Sequence, residues 1–240
     1  MSLKVVKKEL RTRMKQTLSA LNGDAVRSQS LAIFKLVKES EVYQNANCIG
    51  IYLSMPNGEV QTDDIVRHAL SLGKQVFVPY LHKAQNPPPD TPKSVMNMLE
   101  LRSISDYDSL RRDSWGIPTI GVETVSERAH ILENNDNPTL DLILVPGVAF
   151  SRDQTTHLTR RLGHGKGFYD YFLHRYREGL LSRVELKSNV PGSEVLLYGL
   201  ALEEQFLPQT NDGPPVPVGE HDSLLHGLFV GNGMCIEGPQ

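Results

Sequence analysis

Residues 160–170 read Arg-Arg-Leu-Gly-His-Gly-Lys-Gly-Phe-Tyr-Asp, with Gly163, Gly165 and Gly167 at alternate positions around Lys166. Alternating glycines strip one side of an extended backbone and permit positive φ where it turns, so main-chain amides become available to a bulky ligand. A phosphate chain suits them. Exposed N–H groups in a nest or at a helix N-terminus bind anions, and Lys166 and Arg161 add formal charge. Two common phosphate loops are excluded. Lys166 is followed by Gly167 where a P-loop needs Ser or Thr, and Phe168 stands where the dinucleotide fingerprint needs its last glycine.

Other residues offer chemistry with two readings each. Lys7, Arg11 and Lys15 fall at i, i+4 and i+8 beside an apolar row, so they either face an anion or snorkel into water. Glu59, in "SMPNGEVQTDD", follows a strand end, where open α/β sheets carry ligand loops; it is otherwise a first-turn helix carboxylate. In "VPVGEHD", Glu220, His221 and Asp222 offer a metal ligand or form a bare turn. Asp170 sits in the first turn of a helix opening near Gly167, as a ligand or as a complement to the helix dipole. Phe168 and Tyr169 are ordinarily core aromatics. The eight histidines lack zinc spacing, so no structural zinc is expected.

The elements that must position these residues are legible from periodicity. Val6, Leu10, Met14 and Leu21 predict an amphipathic helix over 2–21. Asn22-Gly23 stops it, Asp24 is expected to cap the next, and Leu31, Phe34 and Val37 carry that helix through 24–39. "CIGIYLS" at 48–54 and "QVFVPY" at 75–80 are strand-like runs around a helical 60–72, a β-α-β unit. "VMNMLEL", "DLILVPGVAF" (141–150) and "EVLLYGLAL" (194–202) are further strands, and strands alternating with helices predict a parallel or mixed sheet covered on both faces. The proline-rich stretches 84–92 and 207–219 are read as connections, and 231–240 as a loose tail.

The 240 residues suit one α/β domain. No apolar run is long enough for a bilayer span, so a soluble protein without a membrane partner is expected. A net charge of −3 gives no global attraction to nucleic acid, and two cysteines make no disulfide framework. The first 23 residues are basic, with only Glu9 opposing six cations. They read as a solvated basic helix, an anion-binding helix or a transit helix.

Taken in order, "KKELRTRMK", "YLSMPNGEVQTDDI", "SWGIP", "DLILVPGVAF", "RRLGHGKGFYDYFL" and "VPVGEHD" resemble the 5-formyltetrahydrofolate cyclo-ligase family, also called methenyltetrahydrofolate synthetases, over most of the chain. The resemblance implies a three-layer α/β/α fold of sugar-isomerase and CoA-transferase type with a mostly parallel or mixed sheet. It implies an ATP- and Mg²⁺-dependent ligase that closes 5-formyltetrahydrofolate, with or without a polyglutamate tail, to 5,10-methenyltetrahydrofolate through a phosphorylated formyl group. A cytoplasmic monomer is implied, the mitochondrion being the alternative.

Carried over residue by residue, the resemblance puts ATP contacts at Lys7, Arg11 and Arg161, Leu162, Gly163, His164, Gly165, Lys166, Gly167, Phe168 and Tyr169. Of these, Lys166, Arg161 and Tyr169 are the catalytic set. Met55, Glu59 and Trp115 join residues 164–168 around the folate, Glu59 toward pterin N–H groups and Met55, Trp115 and Phe168 as apolar walls. Asp170 and Asp222 match the magnesium carboxylates. The chain departs from the family at His164, at His226 and in a lengthened connection over 151–160. A nucleotide- or folate-binding protein without turnover, an RNA-binding module and a sugar-phosphate isomerase are the competing classes.

Overall fold

A computed structural model describes residues 1–84, 94–132, 138–186, 195–209 and 215–239, with the side chains of 181–186 outside that description. The chain runs α1 (Leu3–Ser19), α2 (Gly23–Glu39), α3 (Glu41–Asn45), β1 (Cys48–Ile51), α4 (Asp63–Ser71), β2 (Gln75–Lys83), β3 (Ser94–Leu101) and α5 (Ile104–Asp108). The short β4 (Arg111–Arg112) and β5 (Pro118–Thr119) follow, then β6 (Leu142–Val145), β7 (Ala149–Arg152), β8 (Thr159–Leu162), α6 (Phe168–Leu186), β9 (Leu196–Ala201), β10 (Gly227–Val230) and β11 (Cys235–Glu237).

The main sheet has the order β11-β10-β9-β6-β1-β2-β3. Its five inner strands are parallel and both edge strands antiparallel. Strands buried on both faces lose the apolar/polar alternation, and β1 and β6 are buried throughout. Ile49, Ile51, Leu142 and Leu144 face the core under α2 and α4, while Cys48, Ile143 and Val145 face the one closed by Phe172, Leu173 and Tyr176 of α6. This is the α/β/α layering that the resemblance implied.

The topology also creates a crevice. β1 leads through α4 on one face, whereas β6 leads toward α6 on the other, so the connections diverge beyond the carboxyl ends of these two adjacent strands. Ligands of open α/β sheets bind at such a switch point. The loop after β1 carries Glu59, and the chain after β6 carries the glycine stretch.

Several details differ from the sequence expectation. The second helix is capped by Asn22, whose Oδ1 accepts from Ala25 N at 2.7 Å, and Asp24 sits in its first turn. Its buried row is Val26, Ser30, Ile33 and Val37, leaving Leu31 49% exposed, because α2 turns its inner face toward β10 and α4. "DLILVPGVAF" is two strands: Pro146-Gly147 ends β6, and β7 pairs instead with β8. The lengthened connection after β7 is therefore a hairpin. Its turn is organised by Asp153, whose carboxylate accepts from Thr155 N and Thr156 N at 2.9 Å each and from Arg160 Nε at 2.6 Å. The tail is not loose where described, since β11 pairs with β10 and buries Ile236. Its alternation of one inward and two outward residues is too short to register as a strand in sequence. The stretches 84–92 and 207–219 lie partly outside the described residues, but Val216 re-enters and is fully buried.

Candidate active site

Helix α1 reaches the crevice through its apolar row. Leu10 and Met14 pack with Val148, Ala149, Leu162 and Val216, each burial worth about 1.5–3 kcal/mol. That seats α1 on the β7–β8 hairpin, so the cations one position along point at the loop that leaves β8. Arg11 donates Nε to the Gly163 carbonyl at 2.8 Å. Lys7 forms an ion pair with Asp222, which also accepts from Gly219 N. Lys15, the third cation of the row, is exposed and stays outside the site.

Leu162 anchors the glycine loop in the core, and α6 begins after it. Gly165 and Gly167 have φ of +95° and +70°, conformations that L-residues rarely adopt. A Cβ at Gly165 would lie 3.2 Å from Arg11 Cζ, so this glycine admits the guanidinium beside the loop. A Cβ at Gly163 would meet Arg161 Nη1 at 3.1 Å. Two of the three glycines thus make room for the protein's own arginines. Lys166 is exposed and makes no ion pair or hydrogen bond among the described residues. His164 reaches across the crevice, its Nε2 3.8 Å from Glu59 Oε1.

Arg161 is only 6% exposed. Its Nη2 pairs with Asp170 Oδ1 at 2.8 Å, Nη1 donates to the Pro146 carbonyl at 3.4 Å, and its Cζ lies 5.7 Å from the Tyr169 ring centre. Asp170 Oδ1 also accepts from Ser223 N at 3.2 Å, which brings the two candidate metal carboxylates, Asp170 and Asp222, into one cluster. Two buried polar atoms here have no hydrogen-bond partner among the described residues, Arg161 Nε and the Tyr169 hydroxyl. Such groups are costly unless something else pairs them. Burial, with Glu59 adding to it, pushes the Tyr169 hydroxyl above the ordinary tyrosine range, so it stays a protonated donor.

Glu59 is 6% exposed and accepts from Met55 N at 2.9 Å through Oε2. It is therefore neither a first-turn carboxylate nor a solvated one; α4 begins four residues later. Trp115 is 73% exposed, so it forms no packed wall in this structure. Its turn is held by Asp113 Oδ1, which accepts from Trp115 N and Ile117 N at 2.8 and 2.9 Å. A Cβ on Gly116 would lie 2.7 Å from Pro56 Cγ, which docks that turn against the Met55–Pro56 loop. Phe168 is half-buried against the α6 core. His226 lies at the other end of β10, where Nδ1 accepts from Leu197 N at 2.9 Å. Glu220 and His221 are exposed, so only Asp222 of that trio enters the cluster.

The site can thus gather four cations, Lys7, Arg11, Arg161 and Lys166, around two aspartates, with a separate buried carboxylate facing them across the glycine loop. Sequence reasoning missed Ser223 and Pro146, which act only through main-chain groups and so leave no residue-type signal. Among the described residues no three His, Cys, Asp or Glu side chains form a metal cage.

Compared with known proteins, residues 3–230 match the 5-formyltetrahydrofolate cyclo-ligase family model. The chain is 34% identical over 218 residues to the Mus musculus 5-formyltetrahydrofolate cyclo-ligase, covering 90% of this chain and 89% of that protein. It is 31% identical over 224 residues to a probable 5-formyltetrahydrofolate cyclo-ligase of Caenorhabditis elegans, covering 93% and 92%. The NMR structure of Aquifex aeolicus 5,10-methenyltetrahydrofolate synthetase matches with a TM-score of 0.63 at 20% identity, over 97% of this chain and 92% of that one, a likeness of fold.

Proposed function

The chain belongs to the 5-formyltetrahydrofolate cyclo-ligase family, and we propose that it uses ATP and Mg²⁺ to close 5-formyltetrahydrofolate to 5,10-methenyltetrahydrofolate, releasing ADP and phosphate. The observation that carries this reading is the position of the glycine loop. It touches a candidate phosphate cation on one side, Arg11 at Gly163, and the candidate folate carboxylate on the other, Glu59 at His164.

The chemistry needs such a junction. A formamide carbon is a poor electrophile and its oxygen a poor leaving group. Transfer of the γ-phosphoryl to the formyl oxygen forms an O–P bond as the β,γ-bridge breaks and ADP departs. Nitrogen 10 then attacks the formyl carbon and loses its proton, and the C–O bond breaks to release phosphate. The protein's task is alignment and charge stabilisation. In this reading Lys7, Arg11, Arg161 and Lys166 hold the phosphates with the amides of 163–167, and Lys166, which has no ion-pair or hydrogen-bond partner among the described residues, follows the transferring group. Tyr169 and Arg161 Nε supply unpaired donors, and Glu59 accepts from the pterin.

Asp170 and Asp222 would hold Mg²⁺. They fit an ion that takes one or two carboxylates and completes its shell with waters and phosphates. Their present partners, Arg161 and Lys7, are phosphate ligands in the same reading, so both carboxylates have cations to exchange. Bound there, the ion would neutralise phosphate charge. We further place the activity in one domain acting as a monomer, in the cytoplasm with the mitochondrion as the alternative. No helix among the described residues is long and apolar enough to cross a membrane, and the basic first segment forms α1, whose Lys7 and Arg11 enter the site.

The test is growth of the methenyl absorbance when purified protein meets 5-formyltetrahydrofolate, Mg²⁺ and ATP, with ATP and Mg²⁺ omitted in turn. A band that grows only with both present is expected. A flat trace from folded protein overturns the reading.

A further inference from the structure

We infer that Gln61 is the positioning residue of the folate pocket: its carboxamide clamps the main chain at Met55 and Glu59 so that one Glu59 carboxylate oxygen is committed to the protein and the other is left for the pterin. The inference rests on the function proposed above and concerns a residue that makes none of the chemistry.

The loop from Tyr52 to Thr62 has no regular structure, and the carbonyls of Tyr52, Met55, Glu59 and Val60 accept from its own side chains. At its base Thr62 Oγ1 donates to the Tyr52 carbonyl at 2.7 Å and Tyr52 donates its hydroxyl to the Val60 carbonyl at 3.2 Å. The tip is closed differently. Gln61 Nε2 donates both to the Met55 carbonyl at 2.9 Å and to the Glu59 carbonyl at 2.8 Å, using both protons of one amide. The clamp is itself anchored, because Gln61 N donates to Ser30 Oγ at 2.9 Å, and Ser30 is a buried residue of α2 that donates to the Val26 carbonyl at 2.7 Å.

The two residues clamped are both among those expected around the folate. With their carbonyls tied to one amide, Met55 N meets Glu59 Oε2 at 2.9 Å. Among the described residues Oε1 has only the longer contact to His164, at 3.8 Å. A carboxylate can accept from adjacent pterin N–H groups only at a fixed angle, and a short displacement of an aligning group costs binding steeply. Gln61 sets that angle through the backbone at each end. The phosphate side is built separately, from α1, the glycine loop and Asp222, and among the described residues none of its hydrogen bonds or ion pairs runs through Gln61.

The consequence is a selective defect. In Gln61→Ala, the dissociation constant and KM for 5-formyltetrahydrofolate should rise by about tenfold or more, while affinity for a non-hydrolysable ATP analogue and kcat at saturating folate stay within about threefold. Gln61→Glu retains the side-chain length, loses both donated bonds and should show the same split, which keeps the test open if the alanine variant folds poorly. Titration calorimetry with each ligand, thermal melting and initial rates read it out. Folate and nucleotide affinities falling together, or neither falling, would overturn the inference while leaving the functional reading intact. Failure of the natural sequence to bind 5-formyltetrahydrofolate would overturn both.

Discussion

Arg11 and Gly163, separated by 152 positions in sequence, are joined by a 2.8 Å hydrogen bond from the guanidinium Nε to the loop carbonyl. Nε alone is used, and the terminal nitrogens make no hydrogen bond among the described residues. One side chain can therefore hold the loop and still present a planar fork to phosphate. Burial lowers its pKa from the usual arginine value, with Asp222 opposing that shift, and it remains charged at any working pH.

Lysine cannot do both jobs, since it is a point charge without the second set of donors. Arg11→Lys should raise the KM for ATP by about tenfold and cost about 1 kcal/mol of stability. Steady-state kinetics against ATP and denaturant melts check both; an unchanged KM would remove Arg11 from the phosphate site.

Gly165 and Gly179 should respond to alanine with opposite signs. Gly165→Ala places a Cβ at φ +95°, 3.2 Å from Arg11 Cζ, and should cost about 1–3 kcal/mol with a marked loss of turnover. Gly179 lies within α6 with open space around its Cα, so Gly179→Ala should stabilise by about 0.5–1 kcal/mol and leave turnover alone. Paired urea melts and rates decide it.

Lys166 and Asp170 both belong to the proposed site, but only one of them is expected to support the fold. Lys166→Ala should cut kcat by about a hundredfold or more with melting unchanged, because an exposed, unpartnered amine contributes little to stability. Asp170→Asn should cut turnover similarly and also cost about 1.5–3 kcal/mol, because buried Arg161 loses its charged acceptor. A Lys166→Ala variant with natural turnover would take the transferring phosphoryl away from that residue.

The hairpin that feeds the glycine loop should be acid-sensitive. Hydrogen bonding from the Thr156 N–H, helped by Arg160 and the Thr155 N–H against the opposing effect of burial, lowers the Asp153 carboxyl to about 2 from an ordinary 3.8. A carboxyl depressed on folding stabilises above its unfolded pKa, and that contribution is lost as pH falls through the folded one. Its share is thus complete above about pH 4 and disappears toward about pH 2. Asp153→Asn should flatten the stability profile in that window and leave the shape of the profile above it unchanged, which acid-unfolding curves at stepped pH will show. An unaltered slope between those values would rule the carboxyl out as the acid-sensitive group.

Much of this protein is local and so could be read along the chain. The apolar period of α1, the buried runs of β1, β2, β6 and β9, and the proline at position 146 are short-range steric and hydrophobic facts that identify an α/β sheet. The glycine loop and Glu59 were visible because strand ends in such sheets carry ligand groups, and because alternating glycines constrain the backbone wherever they occur. The reason for those glycines was not visible: at 163 the bulky neighbour is the folded-back side chain of Arg161, and at 165 it is Arg11, which only folding brings there.

Pairing belonged to the tertiary structure alone. Lys7 finds Asp222 across 215 positions, and Asp170 shares the cluster only because Ser223 N lies against it. β11 exists because β10 offers an edge. No local pattern encodes these partners, since each depends on how α1 seats on the β7–β8 hairpin and on the sheet order that sets β1 beside β6. Residue types and spacing pointed to the chemistry proposed for this chain. Packing decided which charges meet, which donors stay unpaired and which are left to a ligand, because burial and distance, and not sequence separation, set the energies of polar groups.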